Sequence, residues 1–324
     1  MKPGAALPRI YLRFEILTGE PPQRCVEIER LLAGAEAPVL VSDWRSDAQK
    51  LLFGPGAPVL EMGTAMAFKD RGHLSVAPAA QVFLVSALHA RASMTSVGVP
   101  PNGILTLTAA EARLLADDFN RVFAVASPLV QPDAARLAAG NEGRLFCVFP
   151  SALRTQTIDP ATAVGHDLWD FRPRGADAAV LARLSSETEM WLFDHALNRA
   201  RRERGQLEIN TLWPWGGGPV LDAMPPAPFN FEGADPLYST WAESGAHSAS
   251  LGSTIIVCNS APGQEEFSQR MQTALSSAAK DLRRGSLAAV FLSAGRQCFA
   301  VRRMPGRLTF RRSKPWWDYF DDSD

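Results

Sequence analysis

Apolar and polar positions alternate from Ile10 to Leu17 in a segment rich in β-forming residues, which predicts a first strand. A short helix follows over Cys25 to Leu32. The stretch from Asp43 to about Gly72 is mixed and is broken by Gly54, Pro55, Gly56 and Pro58. Val82 to Leu88 and Ile104 to Leu107 read as strands on either side of the turn Val99-Pro100-Pro101-Asn102-Gly103. Further strands are predicted at Leu145 to Phe149 and from Glu208 to Trp215, the latter ending in Gly216-Gly217-Gly218. After a connector carrying Pro219, Pro225, Pro226 and Pro228 come strands at Thr254 to Val257, Leu287 to Leu292, Cys298 to Arg302 and Arg307 to Phe310. A helix over Glu265 to Arg284 lies among them.

Two helices carry the clearest signals. Thr108-Ala109-Ala110-Glu111 is a capping box, in which the threonine hydroxyl accepts from the third helical N–H and the glutamate reaches back to the cap. The helix it starts runs to about Phe123, with Leu114, Leu115, Phe119 and Val122 as its apolar stripe. The longest helix is predicted from about Ala176 to Arg204 and stops at Gly205, a natural C′ residue. Strands alternating with helices in the second half predict an α/β fold, with a mixed, partly parallel sheet and an antiparallel edge from the last hairpin.

Composition narrows the class. The chain has 324 residues, 46% of them hydrophobic and 21% charged, which suits a folded protein with a large core. Its 33 basic and 34 acidic residues leave a formal charge of -1, so no global field favours nucleic acid or a membrane surface. Cys25, Cys147, Cys258 and Cys298 are far apart and suggest reduced, buried thiols rather than a disulfide framework. Arg9, Arg13 and Glu15 interrupt the N-terminal region before an apolar core of a signal peptide could form, and Leu287 to Leu292 is too short to span a bilayer. A cytoplasmic location is expected.

Trp191, His195, Asn198 and Arg202, with Arg201 beside them, fall on one face of the predicted long helix. Such a stripe could wall an anionic ligand, or it could be core packing plus a solvated basic C-terminal turn. The glycine triplet could expose successive N–H groups as an anion nest, or be an ordinary turn; no Walker or dinucleotide spacing surrounds it. His166-Asp167 sits in a loop, and His73, His89 and His247 are scattered without metal-ligand spacing. No Gly-x-Ser-x-Gly elbow supports a serine nucleophile. Arg302, Arg303, Arg307, Arg311, Arg312 and Lys314 precede Trp316, Trp317, Tyr319 and Phe320, which suits either single-stranded nucleic acid or a basic hairpin with a packed aromatic tail.

The spacing of His195-Ala196-Leu197-Asn198, Arg201, Gly205, Asn210 and Trp213-Pro214-Trp215-Gly216-Gly217-Gly218 resembles that in archaeal-type cofactor-independent phosphoglycerate mutases, and most closely the RpfE-type regulatory proteins related to them. Arg144 matches an arginine opening a strand of the family's insertion domain, His166-Asp167 a His-Asp pair, and Arg311 to Pro315 the closing segment of the RpfE-type group. The resemblance covers about Leu105 to Gly218. It implies a reduced alkaline-phosphatase-like architecture: an N-terminal α/β part over 1–104, an insertion-domain-like part over 105–218 and a C-terminal α/β part over 219–324. The mutases need two divalent metals and a Ser or Thr nucleophile. Here Phe14-Glu15-Ile16-Leu17-Thr18-Gly19 stands where the family has an Asp-Gly start, and the C-terminal third carries only His247.

These readings together suggest a non-catalytic, mutase-like regulatory or ligand-binding protein with no metal and no cofactor. Its partner would be an anionic small molecule or a protein, and neither nucleic acid nor membrane. An active metal-dependent mutase or phosphatase with rearranged ligands, and a nucleic-acid-binding regulator, are the alternatives. The ligand candidates are Arg144, His166, Asp167, His195, Asn198, Arg201, Asn210, Trp213, Trp215, Gly216 and Gly218. Three geometric expectations follow. Asn198 should be buried and bonded to the backbone of the glycine turn. The chain should leave its sheet at Pro214, which has no N–H for the ladder, so that Gly216 to Gly218 form a concave loop facing Arg201 or Arg144. Gly217→Ala should be milder than Gly216→Val.

Overall fold

The computed structural model describes residues 7–14, 24–41, 43–57, 59–74, 81–126, 135–244, 252–258, 269–302 and 314–320. The chain begins with β1 (Arg9–Phe14), α1 (Val26–Leu32), β2 (Val39–Leu40), α2 (Trp44–Phe53) and α3 (Met62–Lys69). Next come β3 (Gln81–Leu88), β4 (Arg91–Ala92), β5 (Val97–Gly98), β6 (Ile104–Leu105), α4 (Ala109–Ala126), β7 (Arg136–Ala139) and β8 (Leu145–Phe149). The middle of the chain holds α5 (Pro160–Ala163), α6 (Ala178–Phe193), α7 (Ala196–Glu203) and β9 (Thr211–Pro219). It ends with β10 (Asn230–Gly233), α8 (Pro236–Ser244), β11 (Thr254–Cys258), α9 (Gln269–Arg284), β12 (Ala289–Ala294) and β13 (Gln297–Val301). Two compact units result, one formed by 1–59 with 225–324 and the other by 60–224. Residues 60–104 thus share a unit with 105–218, and the boundaries expected at 104 and 218 do not coincide with its ends at 60 and 224.

The discontinuous unit is built on a six-stranded sheet in the order β10-β11-β1-β12-β13-β2. The first four of these strands are mutually parallel, and β13 runs antiparallel to its two neighbours β12 and β2, so the fold is α/β with a mixed sheet. In β1, Tyr11, Leu12 and Phe14 are all buried, as expected for a parallel strand covered on both faces. Leu12 and Phe14 join Ile28 and Leu31 of α1 and Leu275 and Leu282 of α9 in one core. Each such side chain removed from water contributes about 1.5–3 kcal/mol. Tyr11 turns to the opposite face, stacked 6.5 Å from Trp44. The expected last strand at Arg307 to Phe310 and the tail of the first, beyond Phe14, lie outside the described residues.

The 60–224 unit carries an antiparallel sheet ordered β6-β3-β8-β7, with β9 also pairing with β3. The α4 and α6 helices pack on it through Leu115, Phe119, Leu181, Leu184 and Leu192, around Val85, Leu145 and Cys147. The buried stripe of α4 is Ala112, Leu115, Ala116 and Phe119, whereas Leu114 and Val122 point outward. That corrects the predicted stripe: positions spaced 3, 4 and 7 from Ala112 face the sheet, and one step of 100° carries Leu114 off it. The predicted single helix from Ala176 to Arg204 is two, divided at Asp194 and His195. Cys25, Cys147 and Cys298 are buried free thiols. Burial pushes the Cys298 thiol up to about 12, so it is a protonated core group. No helix among the described residues is long and apolar enough to cross a membrane.

Candidate functional site: the α6–α7 break and the glycine strand

The capping box at the start of α4 forms as predicted. Glu111 N–H donates to Thr108 Oγ1 at 3.2 Å, and Glu111 Oε2 accepts from Thr108 N–H at 2.9 Å. The same carboxylate then reaches across to α7, where its Oε1 accepts from Arg201 Nη1 at 2.7 Å. Both side chains of this pair are at least nine-tenths buried, and Arg201 Nε also donates to Leu207 O at 2.8 Å. Burial pushes the Glu111 carboxyl up, but Thr108 and Arg201 outweigh it and hold the group below the ordinary carboxylate range. Arg201 is therefore a tie between α7 and α4.

The division between α6 and α7 has a local cause. His195 leaves the helical region, at φ -69° and ψ 140°, and becomes the N-cap of α7 by accepting Leu197 N–H on Nδ1 at 3.1 Å. Trp191 meets the imidazole edge-on at 4.6 Å. Three residues on, Asn198 is 2% exposed and bonds entirely to backbone. Its Nδ2 donates to Leu192 O at 2.8 Å and Ile209 O at 2.6 Å, and its Oδ1 accepts from Ile209 N–H at 2.9 Å. Asn198 is buried as expected, but it bolts the end of α6 to the entry of β9 and does not touch the glycines. Gly205, at φ +68°, ends α7 as predicted by taking the left-handed conformation that other residues resist.

The glycine segment corrects two expectations. Pro214 stays in the sheet opposite Val85, and β9 continues to Pro219. Since β9 pairs with β3 alone among the described strands, its other edge needs no donor and proline is tolerated. Between Trp215 and Gly218 the strand carries one extra residue, so Gly216 and Gly217 stand against Phe83 as a bulge, with Gly216 at φ +61°. A Cβ on Gly217 would sit 2.0 Å from the Phe83 ring, and one on Gly218 would sit 2.4 Å from Thr64 Oγ1. The glycines are thus bare because β3 and α3 press on them from both sides. Gly216 N–H donates to Thr157 Oγ1 at 3.0 Å, and among the described hydrogen bonds none joins the triplet to Arg144, His195 or Arg201.

The remaining candidates are also engaged locally. Trp213 and Trp215 are each 8% exposed; their indole N–H groups donate to Ile158 O and Ser86 Oγ. Asn210 pairs with Ala90 through both its side-chain oxygen and nitrogen, extending the β3–β9 ladder by one rung. Arg144 grips the fully buried Asp70 with two N–H groups, at 2.7 and 2.8 Å, while Asn141 donates twice more to that carboxylate. Nothing in the spacing of Asp70 and Arg144, 74 residues apart, foretold this pair. Asp167 caps the 3-10 turn Leu168–Phe171 by accepting Trp169 N–H, and the exposed His166 lies against Phe171. The candidates cap, bolt and pair; they do not converge on one open wall.

At the carboxyl end of β1, where parallel sheets place their ligands, Phe14 is fully buried. Trp316 and Phe320 meet it edge-on at 5.6 and 5.3 Å. These three rings belong to the core cluster on one face of the sheet, and beside them Arg13 Nη1 donates to Ser293 Oγ at 3.0 Å; residues 15–19 of the segment where the resemblance expects an Asp-Gly start lie outside the described residues. No group of three or more His, Cys, Asp or Glu among the described residues is arranged to hold a metal.

No family model and no curated protein matches the sequence. Among solved structures the chain is similar to the cofactor-independent phosphoglycerate mutase from Thermoplasma acidophilum DSM 1728, at 14% identity and TM-score 0.35 over 91% of this chain and 89% of that one. It is also similar to the PH0037 protein from Pyrococcus horikoshii, at 10% identity and TM-score 0.39 over 91% and 87% of the two chains.

Proposed function

We propose that this chain is a non-catalytic regulatory or ligand-binding protein that keeps a phosphoglycerate-mutase-like scaffold without its chemistry. The observation that carries the reading is Phe14, the described residue of the segment Phe14 to Gly19 where the resemblance calls for an Asp-Gly start: it is a ring buried in the core against Trp316 and Phe320. The retained motif supports the same view. His195 caps a helix, Asn198 closes a backbone corner, Arg201 neutralises Glu111 and the glycines admit close packing. Residues spent in this way explain why a motif can persist in the absence of turnover.

Purified protein assayed on 3-phosphoglycerate with manganese or zinc supplied should show no conversion. Turnover above about 1 s⁻¹ would place it among ordinary enzymes and sink the reading. Thermal-shift measurement with inorganic phosphate and 3-phosphoglycerate, each with and without divalent metal, tests the ligand arm. Stabilisation by an anion alone supports a ligand-binding regulator, because a ligand at 100 times its Kd adds about 2.7 kcal/mol. Stabilisation that requires metal supports a rearranged enzyme site instead.

A further inference from the structure

The α6–α7 break holds a titratable group used as a helix cap. His195 is 7% exposed, and its Nδ1 accepts Leu197 N–H, which requires an unprotonated lone pair there. The neutral ring therefore carries its hydrogen on Nε2. That nitrogen is buried and makes no hydrogen bond, although Asp118 Oδ2 of α4 lies 3.2 Å away. The contact is electrostatic in character, because the carboxylate oxygen is close without meeting hydrogen-bond geometry. A cap of this kind differs from Ser, Thr, Asn or Asp in one respect: a proton turns its acceptor into a donor.

We propose that His195 is an acid-released latch, whose neutral ring fastens the first turn of α7 and whose protonation on Nδ1 lets α7 and the following segment to Ile209 come loose. In the imidazolium form Nδ1–H would face Leu197 N–H, donor against donor. The turn it now fastens carries Asn198, which ties Leu192 to Ile209, and one turn later Arg201, which ties α7 to Glu111. Loss of the cap therefore strains both ties.

The charges around the ring set the direction of the titration. From α4, Asp118 favours the imidazolium while Arg121, bonded to Asp118, disfavours it. From α7, Arg199 disfavours it and is itself bonded to Asp194 at the helix break; from α6, Trp191 contributes an uncharged ring edge. Burial is the largest influence and, with the two arginines, outweighs Asp118, so the group titrates below the ordinary histidine value. A base held neutral by folding contributes stability above its unfolded value, about 6.5, and that contribution is lost as pH falls from there to the folded value.

Amide exchange and ring NMR of the full chain between pH 8 and pH 4.5 test the latch. The Leu197 amide should lose up to about tenfold in protection factor per pH unit as pH falls from about 6.5 to the His195 midpoint and level off below it, while α4 amides such as Leu115 keep theirs. Trp191 emission should change with the same midpoint. His195→Asn, which keeps a capping acceptor that cannot titrate, should abolish the step, and Asp118→Asn should move the wild-type midpoint to lower pH. The proposal is overturned if the Leu197 amide stays as protected as α4 throughout the wild-type titration. It is equally overturned if His195→Asn retains the acid step at the same pH.

Discussion

At Gly217 a single added carbon would lie 2.0 Å from the Phe83 ring, while at Asn198, in the same unit, one side chain makes three hydrogen bonds to backbone 6 and 11 residues away. The first region is held by the absence of side chains, which lets α3, β3 and β9 close on one another. The second is held by polar side chains that replace missing backbone partners at a helix break. Steric fit and polar satisfaction fail differently. A crowded site can be relieved by making a neighbour smaller, whereas a buried acceptor left empty has no such remedy.

The largest effect is expected at the polar end of this contrast. Glu111→Ala strips Arg201 of its buried partner and should destabilise the protein by about 3–5 kcal/mol in urea unfolding. Glu111→Gln should cost less and flatten the acid limb. Because folding lowers the Glu111 pKa, the wild-type contribution is present above the ordinary value of about 4.3 and is lost as pH falls through the lower folded value.

Gly217→Ala should cost about 3 kcal/mol by overpacking, so it is not a mild change. Adding Phe83→Leu should recover part of that loss, and a double variant no better than the single would remove the steric account. Asn198→Ala should cost about 2 kcal/mol, and no reduction of a neighbouring side chain should restore it. An unchanged urea midpoint for Asn198→Ala would erase the contrast between the two regions. The smallest effect belongs to Arg199→Ala, whose ion pair with Asp194 is solvent-exposed on both sides: under about 1 kcal/mol, with a small rise in the His195 midpoint as one opposing charge is removed.

Much of the local order was legible in the sequence because its causes are local. The Thr108–Glu111 box, the Gly205 stop and the strands at 82–88 and 145–149 depend on residues within a turn or a period of one another. The break at His195 was not legible, since a histidine inside a helical pattern gives no sign that it will cap the second half instead of continuing the first. Nor was the fate of Pro214, which depends on whether β9 has one neighbour or two.

The candidate site divides along the same line. Sequence by itself determined which residues stand near one another along α7 and β9; that Gly217 cannot take even one added carbon was decided by Phe83 of β3. Only the tertiary structure decided what they serve. Arg201 could have faced an anion until Glu111, 90 residues earlier, proved to be its partner, and Arg144 likewise until Asp70 did. Burial makes that decision: a guanidinium leaving water needs a counter-charge from its own chain or from a ligand, and spacing along the chain does not say which will be in reach.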